Sequence, residues 1–135
     1  MLLFGLGVGA ILVVVGAVTY ILAPRVGPNP IFGVRVGYSY ASREVWDKTN
    51  RAGGLAFAFV GLCVALLGLK LTWLNVAPRE GMAILVGAMI VELLGATAWL
   101  FVYARGLAQS TPIAREIGVL CANPRAYTKI GRAHV

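Results

Sequence analysis

Three long apolar runs alternate with polar connections along this chain. Residues 2–23 carry no charged side chain. A helix of that length reaches roughly 33 Å, enough to cross a hydrocarbon core of about 30 Å. A second run, 52–69, holds no charge between Arg51 and Lys70 and is just long enough to span. A third, 81–104, holds a single charged residue, Glu92, at its middle. The pattern predicts an all-α integral membrane bundle of three transmembrane helices with spans at about 2–23, 52–72 and 81–104. It forms a single membrane domain over 1–128, with a loop–helix motif at 24–51. A secretory leader fits the first run poorly. No Lys or Arg precedes it, it is long, and Pro24 follows directly where cleavage would have to occur.

Local signals punctuate the connections. Pro24, Pro28 and Pro30 are expected to end the first helix and keep 24–31 extended. The following stretch, with Gly33 and Gly37, reads as a loop. Ser42 is placed to cap a helix beginning at Arg43, with Glu44 in its first turn, where the helix dipole favours an acid. Glu44 with Lys48 and Asp47 with Arg51 are acid-first i,i+4 pairs, each worth about 0.2–0.5 kcal/mol at an exposed face. Gly54, Gly61 and Gly68 recur every seven residues and predict a packing seam on the second span. Gly5 and Gly9, four apart, offer close approach on the first. The link over 72–80 is short, with Trp73 at the interface and Pro78 opening the third helix.

Composition agrees with this reading. Only 13% of the 135 residues are charged and 59% are hydrophobic, against about 25% charged in a soluble domain. The formal charge of +7 would suit nucleic acid or anionic lipid, but the bases flank apolar runs and no groove-reading or aromatic strand motif is present. No nucleic-acid partner is therefore expected. Three spans put 24–51 and the C-terminal tail on one side with Arg25, Arg35, Arg43, Lys48, Arg51, Arg105, Arg115 and Arg125. Lys70 and Arg79 lie on the other. The positive-inside bias predicts an outside N-terminus and a cytoplasmic 24–51 loop and tail in a multi-pass cell-membrane protein.

Two features of the tail limit the search for chemistry. The final seven residues, 129–135, are what a common sequencing adapter encodes when read through, so the native chain is expected to stop, or to have been cut off, near Thr128. That removes His134, the single histidine, from site reasoning. Segment 112–121 is too short and too charged to span and reads as a short surface helix or as the start of something a truncation removed. Cys63 and Cys121 have no pairing pattern and read as free small hydrophobes.

The polar residues of 28–54 are the first candidate site. Trp46 and Asn50 share a helix face, with Gly53 and Gly54 one turn further on. Arg35 is in reach of a lipid phosphate, Asp47 or Glu44. In the plainest account Asn29, Gly33, Arg35, Ser42, Trp46 and Asn50 lock the loop onto the bundle; in the alternative they form a docking surface. The order Asn29-x-x-Phe32-Gly33-Val34-Arg35, then Ser42-x-x-x-Trp46-x-x-x-Asn50 and Gly53-Gly54, resembles the SdpI/YfhL family of bacterial integral membrane proteins. Val36 stands where that family often has Thr, and its best-known member has more spans. The resemblance implies an immunity or signal-transduction protein. Its partners would be a secreted peptide toxin, a cytoplasmic repressor held at the membrane, or both.

Glu92 is the second candidate. A charged group at the bilayer centre costs about 2.5–3.5 kcal/mol on insertion scales, so it should face the bundle interior and find a partner. Thr97 and Thr72 are the nearest in sequence pattern. Glu92 is then either a hydrogen-bonded interhelix contact or the carrier in a small proton- or cation-coupled transporter. No Cys–His pair, paired membrane carboxylates or phosphate-cradling loop is present, which argues against an enzyme and against any cofactor or metal. Three helices leave much apolar surface for lipid or a second copy, and a homodimer is one way to cover it.

Overall fold

The computed structural model describes residues 1–29 and 31–110. Pro30, Arg115, Cys121, Arg125, the proposed 112–121 surface helix and the 129–135 segment lie outside the described residues. Those described form three helices, α1 (Leu2–Val26), α2 (Arg43–Trp73) and α3 (Pro78–Gln109), with a 3₁₀ turn at Gly37–Tyr40. All three are long and apolar enough to cross a membrane. They extend beyond the expected spans. At 31 residues α2 is roughly 46 Å long, so its polar first turns project past a hydrocarbon core.

α1 runs antiparallel along nearly the whole of α2, and α3 packs more lightly on α2. The α1–α2 contact is built on small residues. Gly5 faces Gly68, Gly9 faces Gly61 and Gly16 faces Gly54. The seven-residue glycine repeat of α2 is thus a packing seam, and Gly16 of α1 completes it. A Cβ at Gly9 would lie 2.5 Å from the Gly61 carbonyl oxygen, and one at Gly54 would lie 2.6 Å from that of Gly16. Backbones this close give the dispersion contact that holds helices together where lipid removes the hydrophobic advantage. A small apolar core of Val60, Val64, Leu71 and Leu85 joins α3 to this pair, packed by Met1, Leu12 and Met89. Large apolar side chains on the outer faces, such as Ile11, Leu66, Leu94 and Val102, are exposed, as lipid-facing positions are.

Several boundaries differ from the sequence expectation, each for a local reason. Pro24 does not end α1 but sits within its last turn. The helix closes at Gly27, whose φ of 79° is open to glycine and whose N–H reaches the Ala23 carbonyl at 3.0 Å. α2 begins at Arg43 with Ser42 as its cap, the hydroxyl accepting from the Val45 N–H at 3.1 Å. It ends in a Schellman-type closure. Asn75 takes φ 51° and the Val76 N–H returns to the Leu71 carbonyl at 3.2 Å. The link to α3 shrinks to 74–77, with Pro78 at the first helical turn as expected.

Candidate functional site

The connection from α1 to α2 folds back onto the end of the bundle and is tied down by a set of side-chain hydrogen bonds. Asn29 builds its first turn. Its carboxamide oxygen accepts from the Ile31 and Phe32 N–H groups at 2.9 and 2.7 Å, and its Nδ2 donates to the Gly27 carbonyl at 2.8 Å. Gly33 follows with φ 107°, which lets the chain pass directly over Asn50 and Trp46. Asn50, fully buried near the start of α2, accepts from the Val34 N–H at 2.6 Å and donates to the Trp46 carbonyl at 3.0 Å. The Trp46 indole, also fully buried, donates from Nε1 to the Ala23 carbonyl at 2.9 Å. Ser39 donates to the Val34 and Val36 carbonyls, and the Tyr40 hydroxyl donates to the Asn29 carbonyl at 3.1 Å. The loop is therefore a bracket fixed at both ends, held by largely part-buried hydrogen bonds above the buried Trp46 and Asn50.

Five of the six residues singled out in 24–51 meet here as one network. Asn29, Gly33, Trp46 and Asn50 hold the loop, and Ser42 starts the helix that carries the last two. Arg35 is placed differently. It is exposed and lines the mouth of a cleft of about 710 Å³ between α1, α2 and α3, beneath the bracket. Val15 and Thr19 of α1, Phe57 of α2, and Thr97 and Leu100 of α3 form its walls.

Charge pairing departs from the expected pattern. Glu44 and Lys48 pair at 2.6 Å, but Asp47 pairs with Arg43 at 3.2 Å, not with Arg51. The cause lies across the helix boundary. Arg43 also reaches back to the Pro24 carbonyl, and more distantly to that of Arg25. It places a cation on the C-terminal carbonyls of α1, where the dipole favours one. Arg51 instead lies over the Tyr20 ring at 5.7 Å. Asp47 and Glu44, the acids expected within reach of Arg35, are thus both engaged by other bases. Sequence reasoning missed Arg43, Ser39 and Tyr40. The signal available for Arg43 was a base directly after a capping Ser; its partners, 19 and 18 residues earlier, were not legible from local spacing.

Glu92 lies at the α2–α3 contact rather than in this network. Thr97 and Thr72, the expected partners, donate instead to their own helices, to the Leu93 and Gly68 carbonyls at 2.7 and 2.8 Å. The buried Oε2 of Glu92 has no hydrogen-bond partner among the described residues. Cys63 is a free thiol within α2. Among the described residues no group of three or more His, Cys, Asp or Glu is gathered as a metal site would require.

Compared with known proteins, residues 25–104 match the model of the SdpI/YfhL protein family, over more than half of the chain. The match contains the entire bracket together with α2 and most of α3. No curated protein and no solved structure matches.

Proposed function

The chain belongs to the SdpI/YfhL protein family, and from that premise we propose that it is a non-enzymatic immunity or signalling protein of the cell membrane whose bracket recognises a protein partner. The observation that carries this reading is a division of labour within 28–51. Asn29, Gly33, Trp46 and Asn50 of the family-like motif hold the loop, while Ile31, Arg35 and Tyr38 are displayed, and Tyr40 stays part exposed although its hydroxyl ties the loop. Ile31 is 85% exposed, Tyr38 38% and Tyr40 44%. Tyrosine, arginine and an apolar anchor on a rigid frame are the composition of a binding surface. The frame is stiff, because Tyr38 packs edge-on to Phe101 of α3 and Tyr40 packs on Trp46. Binding then needs little ordering of the loop.

The charge asymmetry supports a cytoplasmic side for this surface. There it faces a cytoplasmic regulator, and a secreted peptide toxin meets the opposite side or the membrane-embedded helices. An alkaline phosphatase inserted after Gly37 should be inactive and a fluorescent protein at the same place bright. An active phosphatase there would overturn the cytoplasmic placement. For function, cells challenged with the secreted peptide should be protected by the wild type and by Glu92→Gln. A Trp46→Ala protein present in the membrane at equal level should fail to protect. Protection lost in Glu92→Gln and retained in Trp46→Ala would move the function from the bracket to a transporter built on Glu92.

A further inference from the structure

We propose that the cleft beneath the bracket is a binding site for one anionic phospholipid of the surrounding bilayer. The cleft exists because α1 and α3 both pack on α2 but diverge from each other. They meet at the far end of the bundle, where a Cβ at Gly5 would lie 3.4 Å from Leu85 and one at Gly81 would run into Met1. Toward the bracket they separate around a space of about 710 Å³. Bracket residues 31–36 roof it, with Arg35 at the mouth, and Val15, Thr19, Phe57, Thr97 and Leu100 wall it. The roof is held in place, because Asn50 accepts from the Val34 N–H and Tyr38 packs on Phe101 of α3. The space is therefore preformed and needs little ordering to accept a ligand.

The depth of the walls and the charge of the lining define the ligand. Arg51 lies over the Tyr20 ring at the point where the uncharged run of α2 begins. That pair marks the membrane interface and puts Thr19 beside it. Val15 and Phe57 lie roughly 7–9 Å deeper along the axes of α1 and α2. Val15 is 46% exposed and Thr97 is exposed as well, so the cleft opens sideways into hydrocarbon. The Thr97 hydroxyl is satisfied by the Leu93 carbonyl and asks nothing polar of an occupant. An acyl chain can enter laterally from the bilayer, whereas a soluble molecule reaches only the mouth. There the lining carries the charge of Arg35 and, among the described residues, no Asp or Glu. The acids of the first turns of α2, Glu44 and Asp47, pair with Lys48 and Arg43. A guanidinium matches a phosphate with two parallel N–H donors, and basic pockets between spanning helices take anionic headgroups. A zwitterionic lipid brings an ammonium that finds no acid in the lining. A neutral apolar molecule fits the walls but makes no use of the arginine, and an inorganic anion does the reverse. An anionic phospholipid meets both, with its phosphate at Arg35 and one acyl chain along Val15 and Phe57. The site is the same whichever side of the membrane the bracket faces, and it does not depend on the bracket engaging a protein.

The test uses the full chain in phosphatidylcholine nanodiscs doped with phosphatidylglycerol of the same acyl chains. Native mass spectrometry counts and identifies the lipids that stay with each chain on release from the disc. One phosphatidylglycerol per chain should be retained, enriched at least about fivefold over its share of the disc, the effect of one basic residue at a membrane surface. Arg35→Gln should remove the enrichment, Arg35→Lys should keep part of it, and Arg79→Gln, at the other end of the bundle, should leave it unchanged. Thr97→Trp fills the cleft from an exposed position and spares the charge. It should lower retention of both lipids, and it decides the matter should Arg35→Gln fail to insert. Inorganic phosphate in excess should not displace the retained lipid. Retention of the two lipids in proportion to their shares, or enrichment indifferent to Arg35→Gln, would overturn the assignment. Retention indifferent to Thr97→Trp, or displacement by inorganic phosphate, would do so too, since the arginine would then hold a headgroup at the surface and the cleft would hold no chain.

Discussion

Replacing Gly54 with valine should force α1 and α2 apart and cost more stability than any substitution on the outer faces of the bundle. A Cβ at position 54 would sit 2.6 Å from the Gly16 carbonyl oxygen and 2.6 Å from the Tyr20 nitrogen. Both obstacles are backbone atoms of a helix, so no rotamer change relieves them and α1 itself has to move. The opposed positions are equally tight: a Cβ at Gly16 would lie 2.5 Å from the Gly54 oxygen, and one at Gly61 2.6 Å from that of Gly9. Displacing α1 at one point of a straight seam opens the neighbouring contacts as well. Overpacking a soluble core costs about 1–3 kcal/mol. The loss here should reach at least that range, because in lipid close packing is the main source of helix association. The measurement is the free energy of unfolding in mixed micelles on titration with a denaturing detergent. Gly7→Ala and Gly87→Ala supply the contrast, since a Cβ at either site meets nothing within 4 Å. Those two should be neutral or stabilising by about 0.5–1 kcal/mol, the usual helix gain of alanine over glycine. A Gly54→Val protein as stable as Gly87→Ala would show that the seam does not hold the helices.

The seam also shows what a sequence of this kind reveals. The spacing of Gly54, Gly61 and Gly68 placed three gaps on one face of α2, because helical periodicity is a property of one segment. It did not reveal that Gly16, Gly9 and Gly5 of α1 meet them in turn, since pairing depends on the antiparallel register of two helices. The same limit explains the bracket. Ser42 was legible as a cap, and Trp46 and Asn50 as neighbours on one face, from local spacing alone. That Trp46 reaches the Ala23 carbonyl and Asn50 the Val34 N–H depends on how the loop folds back, which spacing does not encode. Asp47 was assigned to Arg51 on the acid-first preference. That preference is worth about 0.2–0.5 kcal/mol, less than Arg43 gains by serving Asp47 and the end of α1 together. Pro24 was read as a stop, yet a proline late in a helix removes one hydrogen bond without preventing another turn when a glycine closes the end three residues later.

Gly33 and Asn50 should prove strongly coupled. Gly33→Ala alone puts a side chain at φ 107°, a backbone strain of about 1–3 kcal/mol. Its new methyl would also lie 2.5 Å from Asn50 Oδ1 and 3.0 Å from the Trp46 ring. The loop must lift, and lifting it breaks the hydrogen bond from the Val34 N–H to Asn50. Asn50→Ala alone leaves that N–H without its acceptor and removes the donor to the Trp46 carbonyl, a loss of about 1–3 kcal/mol for a buried group. Once either change has released the loop, the other has less left to remove. The double variant should therefore lose less than the two single losses together, by an interaction energy of roughly 0.5–3 kcal/mol. Trp46→Phe should cost less, about 0.5–1.5 kcal/mol, because the Ala23 carbonyl keeps the Gly27 N–H as a second donor. Micelle unfolding gives the energies, and the rate of trypsin cleavage after Arg35 reports the bracket by itself. Faster cleavage with an unchanged seam would mean that the bracket opens while the three helices remain packed. Additivity within about 0.3–0.5 kcal/mol would instead make Gly33 and Asn50 independent. In the coupled case Gly33→Ala also separates the two parts of the molecule functionally. A variant that keeps its bundle but no longer engages a regulator would assign recognition to the held loop.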